Sequence, residues 1–192
     1  MKTLFISTYN DLLTIALLEN NKLISIKEKK SERSHSQILI PTIEEILKDN
    51  QLKSQDLDEI IAINGPGSFT GVRLGITVAK TLAYTLNIPI KLIDTITALA
   101  ISDKSLDRKL VKINDLKGVY YGVYENNQLN GELKYLNNEE YKLFLAKNNL
   151  LITDKQKLDI EAIADYLTNK PNINPHEVKP IYIKQIEVTN GK

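Results

Sequence analysis

The segment Ile60-Ile61-Ala62-Ile63-Asn64-Gly65-Pro66-Gly67-Ser68-Phe69-Thr70-Gly71-Val72-Arg73-Leu74-Gly75 constrains this chain more than any other. Ile60 to Ile63 is a continuous apolar run of the length of a buried strand. Gly65, Pro66, Gly67 and Gly71 then require a tight turn. From Val72 to Leu86 the apolar residues return at helical spacing. Strand, glycine turn and helix in succession predict an α/β architecture, and such a turn offers backbone N–H groups to an anion.

The chain has 192 residues, enough for one large domain or two small ones. Its charges are mixed and its net charge is +1, which argues against this chain alone gripping a nucleic-acid backbone, since such binding rests on a clustered basic surface. Cysteine is absent, which excludes disulfides, thiolate metal sites and thiol nucleophiles. The apolar run in Met1-Lys2-Thr3-Leu4-Phe5-Ile6-Ser7 is too short for a signal peptide. Nothing approaches membrane-spanning length. A cytoplasmic protein that does not enter a membrane is expected.

Three strands open the chain, at Thr3–Ser7, Leu12–Leu18 and Leu23–Lys29. Asn20-Asn21 suits a tight hairpin between the last two, because Asn tolerates positive φ. A helix follows, capped by Ser34 or Ser36 and carrying Ile38, Leu39, Ile43, Ile46 and Leu47 at helical spacing. Pro41 inside it predicts a kink or a separate short first turn. The Ile60 strand, the glycine turn, the second helix and a strand at Ile88–Ile93 come next, with Asn87 and Pro89 as stop signals. The order β-β-β-α-β-α-β predicts a mixed sheet, as in the ribonuclease-H-like half of the actin-like fold. A small helix at Thr95–Ile101 leads to a charged stretch, Ser102–Lys109, so the division is placed at 1–101 and 102–192. In the second half Val111–Asn114, Val119–Tyr124 and Glu132–Leu136 read as strands, Leu150–Thr153 as a further candidate, and Ile160–Leu167 as a short helix. Asn126-Asn127 and Asn130-Gly131 read as turns, Pro171–Pro180 as loop and Val188–Lys192 as a frayed tail.

The glycine segment has more than one reading. It is a plain turn, or it opens a dinucleotide fingerprint. Gly65-Pro66-Gly67 begins like G-x-G-x-x-G, and Asp94 ends the next strand where a ribose-binding acid belongs. Against the fingerprint, its third glycine, Gly71, falls one position late. Its strand is also the fourth of the sheet rather than the first of a βαβ unit.

The same residues, Gly65-Pro66-Gly67-Ser68-Phe69-Thr70-Gly71-Val72-Arg73-Leu74-Gly75 with Ala79-Lys80 and Leu82-Ala83, resemble the signature of the TsaB (YeaZ) family. Arg33, His35-Ser36-Gln37, Leu39 and Pro41 are similar to the family's R-x-H-S-x-x-L-x-P segment. Leu57-Asp58, Ala98-Leu99-Ala100 and Pro180-Ile181-Tyr182-Ile183-Lys184 fit as well. The resemblance is dense over residues 1–100 and thin beyond. It implies an actin-like (ASKHA) α/β fold: a ribonuclease-H-like mixed sheet in the first lobe, 1–101, and a smaller, shortened second α/β lobe, 102–192. It implies a non-catalytic partner of TsaD in the synthesis of threonylcarbamoyladenosine at position 37 of tRNAs reading codons that begin with A. It implies a heterodimer with TsaD, support for recruiting the TsaE ATPase, and a homodimer when alone. Contact with tRNA would be indirect, through the complex.

Two helical faces bear on that reading. Gly75, Ala79 and Ala83 recur every four residues, and small residues let a second helix approach closely. Arg73, Thr77, Lys80 and Tyr84 line another face of the same helix. With the resemblance, His35, Ile38, Leu39, Thr42, Arg73, Thr77 and Lys80 are expected at the partner interface. The glycine loop, Gly65 to Gly71 through Pro66, Gly67, Ser68, Phe69 and Thr70, is expected to set the angle of the second helix. No cofactor or metal is expected on this chain. Any nucleotide affinity of its own is expected to be weak, with ATP and metal on the partner subunits.

The chain departs from the family pattern in three places. Ile6-Ser7-Thr8-Tyr9 stands where the family has I-D-T-S, so Ser7 supplies no carboxylate. Ile113-Asn114-Asp115-Leu116-Lys117-Gly118-Val119-Tyr120 does not restore the family's D-A-R segment, and the second half is short. His35 and His176 lack the i, i+4 partner that places two ligands on one helical face. Glu44-Glu45 and Asp56, Asp58, Glu59 read as solvated faces. No acid, base and nucleophile stand in defined roles. The alternative is an independent nucleotide-binding enzyme, a dehydrogenase or small kinase, using the glycine loop.

Overall fold

In a computed structural model, residues 1–30, 35–148, 150–153 and 157–183 are described. Arg33, the Ser34 cap, Lys184 and the tail Val188–Lys192 lie outside them. The chain opens with β1 (Lys2–Ser7), β2 (Leu12–Glu19) and β3 (Lys22–Lys30), then α1 (His35–Asp49), β4 (Glu59–Ile63), α2 (Phe69–Leu86), β5 (Ile90–Ile93) and α3 (Thr95–Ser102). The first sheet has the order β3-β2-β1-β4-β5. β2 runs antiparallel to β1 and β3, and β1, β4 and β5 are mutually parallel. The mixed sheet expected from the sequence is therefore present.

Local chemistry explains the punctuation. Asn20 and Asn21 both take positive φ, 51° and 64°, in the β2–β3 hairpin, the left-handed pair that a two-residue turn needs. Asn87 takes φ 53° and caps α2, its N–H reaching back to Ala83 and Tyr84 carbonyls. α1 is continuous from His35 to Asp49 through Pro41, so no separate first turn forms. Proline removes the bond to the carbonyl four residues back, and that residue, Gln37, is exposed.

The central strands are covered on both faces. Leu4, Phe5 and Ile6 of β1, Ile15 and Leu17 of β2 and Ile60 of β4 are fully buried. α1 and α2 pack together against the sheet, while α3 packs with a later helix, α5 (Ile160–Leu167). Strands buried on both faces read as continuous apolar runs rather than alternating ones, which is why β4 reads Ile-Ile-Ala-Ile.

A second sheet follows: β6 (Arg108–Asp115), β7 (Gly118–Glu125), β8 (Gln128–Leu129), β9 (Lys134–Asn137) and β10 (Ile152–Thr153), with α4 (Asn138–Lys147) between the last two. The order is β10-β6-β7-β8, with β9 also on β7. α4 is an element that the sequence reading lacked. Its start is a capping box, in which the Asn137 side chain accepts from the Glu140 N–H and the Glu140 carboxylate accepts from the Asn137 N–H.

A buried polar knot ties the end of α3 to the second sheet. Lys109 is fully buried and donates to the Asp103 carbonyl and to Asn127 Oδ1. The Asp103 carboxylate accepts from Ser105 and from Thr153 Oγ1. Burial pulls this carboxyl upward, but those hydrogen bonds and the Lys109 ammonium outweigh it and hold it at about 2.

After β10 the chain returns to the first sheet. Ile160, Ile163, Ala164 and Leu167 of α5, with Val178, belong to the main core. Glu161 accepts from the Leu23 N–H at 2.9 Å, and Asn21 donates to Asp165 and Thr168 at 3.0 and 2.9 Å. Ile173 N–H bonds the Ile90 carbonyl at 2.9 Å. A buried ion pair, Lys91 to Glu59 at 3.1 Å, stands beside this contact, and Lys91 also donates to the Thr168 carbonyl.

Candidate functional site

The glycine loop is held by the turn that follows β1. Ser68 N–H donates to the Tyr9 carbonyl at 2.7 Å, and Thr8 Oγ1 donates to the Gly71 carbonyl at 2.7 Å. Thr95 closes the other side, its N–H on the Gly65 carbonyl and its Oγ1 on the Pro66 carbonyl. Ser68 caps α2 by accepting from the Gly71 N–H. Contact is so close that a Cβ on Gly71 would lie 2.3 Å from the Thr8 carbonyl oxygen, and one on Gly75 would lie 2.2 Å from Thr8 Oγ1. The small stripe Gly75, Ala79, Ala83 is thus consumed inside the fold, all three residues being buried, and does not receive a foreign helix. Loop N–H groups that a phosphate would need are bonded within the protein at Ser68 and Gly71.

Beside the loop lies a cleft of about 1100 Å³ between the two sheets, lined by Tyr9, Asp11, Phe69, Asp115, Tyr120 and Tyr182 among others. Among the described residues the charged side chains lining it are carboxylates, Asp11 and Asp115. Burial raises the Tyr9 hydroxyl to about 12, so it stays protonated at neutral pH. Ser7 at the end of β1 is fully buried, and its hydroxyl has no partner among the described residues. Asp94 does not face a ribose as a dinucleotide fingerprint would require. It caps α3, accepting from the Thr97 N–H at 2.8 Å, and burial raises its carboxyl.

The residues expected at a partner interface divide in two. Leu39 is 1% exposed and Thr42 is fully buried, its hydroxyl donating to the Ile38 carbonyl. Both are buried within the fold and offer a partner no surface, which corrects the expectation for them. Ile38 is half-buried against the core. His35 is half-buried too, and its Nε2 lies 2.7 Å from the Asn10 carbonyl, tying α1 to the β1–β2 turn. Arg73 and Thr77 are exposed and Lys80 is half-buried, on one outward face of α2 with Tyr84.

That face carries residues whose role the sequence did not reveal. Arg73 Nε donates to Tyr182 Oη at 2.7 Å, and its guanidinium carbon sits 3.8 Å from the Phe69 ring centroid. Lys80 Nζ lies 3.5 Å from the His176 carbonyl, and the exposed His176 packs edge-on to Tyr84 at 4.9 Å. The segment Pro175–Tyr182 is therefore a strap along α2. Its one sequence signal is the apolar and aromatic run Pro180-Ile181-Tyr182-Ile183, with Ile181 N–H on the Asn64 carbonyl. Among the described residues no cluster of His, Cys, Asp or Glu could hold a metal ion, and no helix is long and apolar enough to cross a membrane.

Residues 22–129 match the family model described as TsaD, tRNA N6-adenosine threonylcarbamoyltransferase. The chain is 38% identical over 127 residues to the tRNA threonylcarbamoyladenosine biosynthesis protein TsaB of Bacillus subtilis, covering 65% of this chain and 56% of that protein. To TsaB of Escherichia coli it is 29% identical over 132 residues, covering 67% and 57%. The match thus spans a little over half the length of these curated relatives. YeaZ from Pseudomonas aeruginosa superposes with a TM-score of 0.79 at 20% identity, over 94% of this chain and 100% of that one. A second P. aeruginosa structure, of an uncharacterized protein with similarity to peptidase YEAZ, gives 0.81 at 21% identity, over 95% and 99%. The fold is accordingly the actin-like, ribonuclease-H-like α/β fold expected from the sequence.

Proposed function

Because the chain belongs to the TsaB (YeaZ) family, we propose that it is an accessory subunit of the machinery that places threonylcarbamoyl on adenosine 37 of tRNAs reading codons that begin with A. In this reading it binds TsaD as a heterodimer through the outward face of α2, supports TsaE, and forms a homodimer when alone. It performs no transfer itself, works in the cytoplasm, and meets tRNA only through the complex. ATP and metal belong to the partner subunits.

The observation that carries the reading is the use made of the glycine loop. Its Ser68 N–H and Gly71 carbonyl hold α2 against Tyr9 and Thr8, and the charged side chains among the described residues lining the adjoining cleft are carboxylates. A helix N-terminus alone contributes about 0.3–1 kcal/mol toward an anion, too little to hold a nucleotide against that charge. What the loop does support is a rigidly placed α2 whose Arg73, Thr77 and Tyr84 are exposed. Arg73→Glu tests this by reversing the charge at that face. The variant is expected to fold and to lose co-elution with TsaD of the same source. Retained co-elution would count against the assignment of this face. Tight binding of ATP or a dinucleotide by the isolated chain would favour the rival enzyme.

A further inference from the structure

We propose that Phe69, Arg73 and Tyr182 form a pre-organised clamp that receives a carboxylate side chain of the partner protein; this rests on the reading of α2 as a docking face. Phe69 and Arg73 stand four residues apart at the start of α2, one above the other on the same face. The guanidinium carbon lies 3.8 Å from the Phe69 centroid and 5.6 Å from the Tyr182 centroid, and the two rings are 6.0 Å apart. Arg73 is thus stacked on the Phe69 ring, with Tyr182 at its edge, and tied at Nε to Tyr182 Oη.

Its two terminal amino groups donate to no described residue, and no carboxylate among the described residues pairs with it. An arginine kept only for packing has no need of a fixed Nε. Here the stack and the Nε bond remove the side chain's rotational freedom in advance. What remains is a planar pair of N–H donors, the geometry that matches a carboxylate with two parallel bonds. Phe69 and Tyr182 are 54% and 50% exposed. Large aromatic rings beside an arginine make the kind of patch that a protein partner covers as an energetic anchor.

Besides Arg73, Lys80 is the one cation of α2, seven residues further along the same face. A nucleic-acid backbone needs a run of cations, so a single carboxylate is the better fit. Tyr182 acts here as a positioning residue, holding Arg73 rather than touching the partner's acid.

The test is titration calorimetry of TsaD into wild type, Arg73→Lys and Tyr182→Phe. Arg73→Lys keeps the charge and loses the fork. Tyr182→Phe keeps the ring and loses the acceptor, and its exposed site leaves folding intact. Each variant is expected to bind about tenfold more weakly, the scale of a lost hydrogen bond to a charged group. Affinities within twofold of wild type would overturn the clamp while leaving the partner assignment standing. Failure of wild type to bind TsaD would overturn the assignment instead, and the clamp is then read separately by NMR of the arginine Nε–H with added acetate. A shift of the Arg73 signal in wild type that Tyr182→Phe abolishes supports the clamp; equal shifts, or none, overturn it. Loss of tRNA binding in Arg73→Lys with TsaD affinity unchanged would also overturn it.

Discussion

Thr8 and Gly75 fit together only because Gly75 has no side chain: a Cβ there would stand 2.2 Å from Thr8 Oγ1. The same hydroxyl donates to the Gly71 carbonyl, so it cannot swing away without losing a buried bond. The glycines of this segment are spacing elements between the β1 turn and α2, and they set where Arg73 and Tyr84 emerge.

Gly75→Ala is therefore expected to destabilise the protein by about 1–3 kcal/mol, the cost of overpacking a tight contact. This runs against alanine's helical preference of about 1 kcal/mol over glycine. Urea unfolding decides the sign, and a stabilised variant would show that Thr8 yields freely.

Lys91 and Glu59 are 9% and 5% exposed and paired at 3.1 Å. Lys91→Met would leave the Glu59 carboxylate buried without its cation and is expected to cost about 3–5 kcal/mol. The double variant Lys91→Met, Glu59→Leu is expected to recover much of that loss. Equal unfolding midpoints for the single and double variants would contradict the pairing.

Asp103 gives the fold an acid limit. Its folded value of about 2 lies below the ordinary carboxylate value near ~3.9 in the unfolded chain. The stability it contributes is present above that unfolded value and is lost as pH falls through the folded one. Asp103→Asn should thus be less stable at neutral pH and show a shallower decline between about pH 4 and pH 2. Parallel stability–pH curves for variant and wild type would contradict this.

ATP should bind the isolated chain weakly, with a Kd in the millimolar range, about 4 kcal/mol of binding free energy. The cleft meets a polyphosphate with Asp11 and Asp115. Calorimetry in the presence of magnesium checks it, and micromolar affinity would return the glycine loop to the nucleotide-binding reading.

Much of the first sheet was legible because its signals are local. Asn20-Asn21 and Asn87 announce their left-handed backbone, and the unbroken Ile60–Ile63 run announces burial on both faces. What was not legible depends on who packs against whom. The stripe Gly75, Ala79, Ala83 looks the same whether it meets a partner helix or Thr8 of the same chain. Leu39 belongs to an apolar stripe, with the polar Thr42 beside it, whose inward face only the tertiary structure selects. The strap over α2 joins Arg73 to Tyr182 across 109 positions of sequence, beyond the reach of any periodicity. α4, by contrast, had a visible start in Asn137-x-x-Glu140, and a capping-box search would have found it.

The proposed pairing with TsaD is open to light scattering coupled to size-exclusion chromatography. The protein is run alone and then mixed with TsaD from the same source. A one-to-one complex is expected to replace the homodimer of the isolated chain. Two unchanged peaks, with tRNA and ATP present, would contradict it.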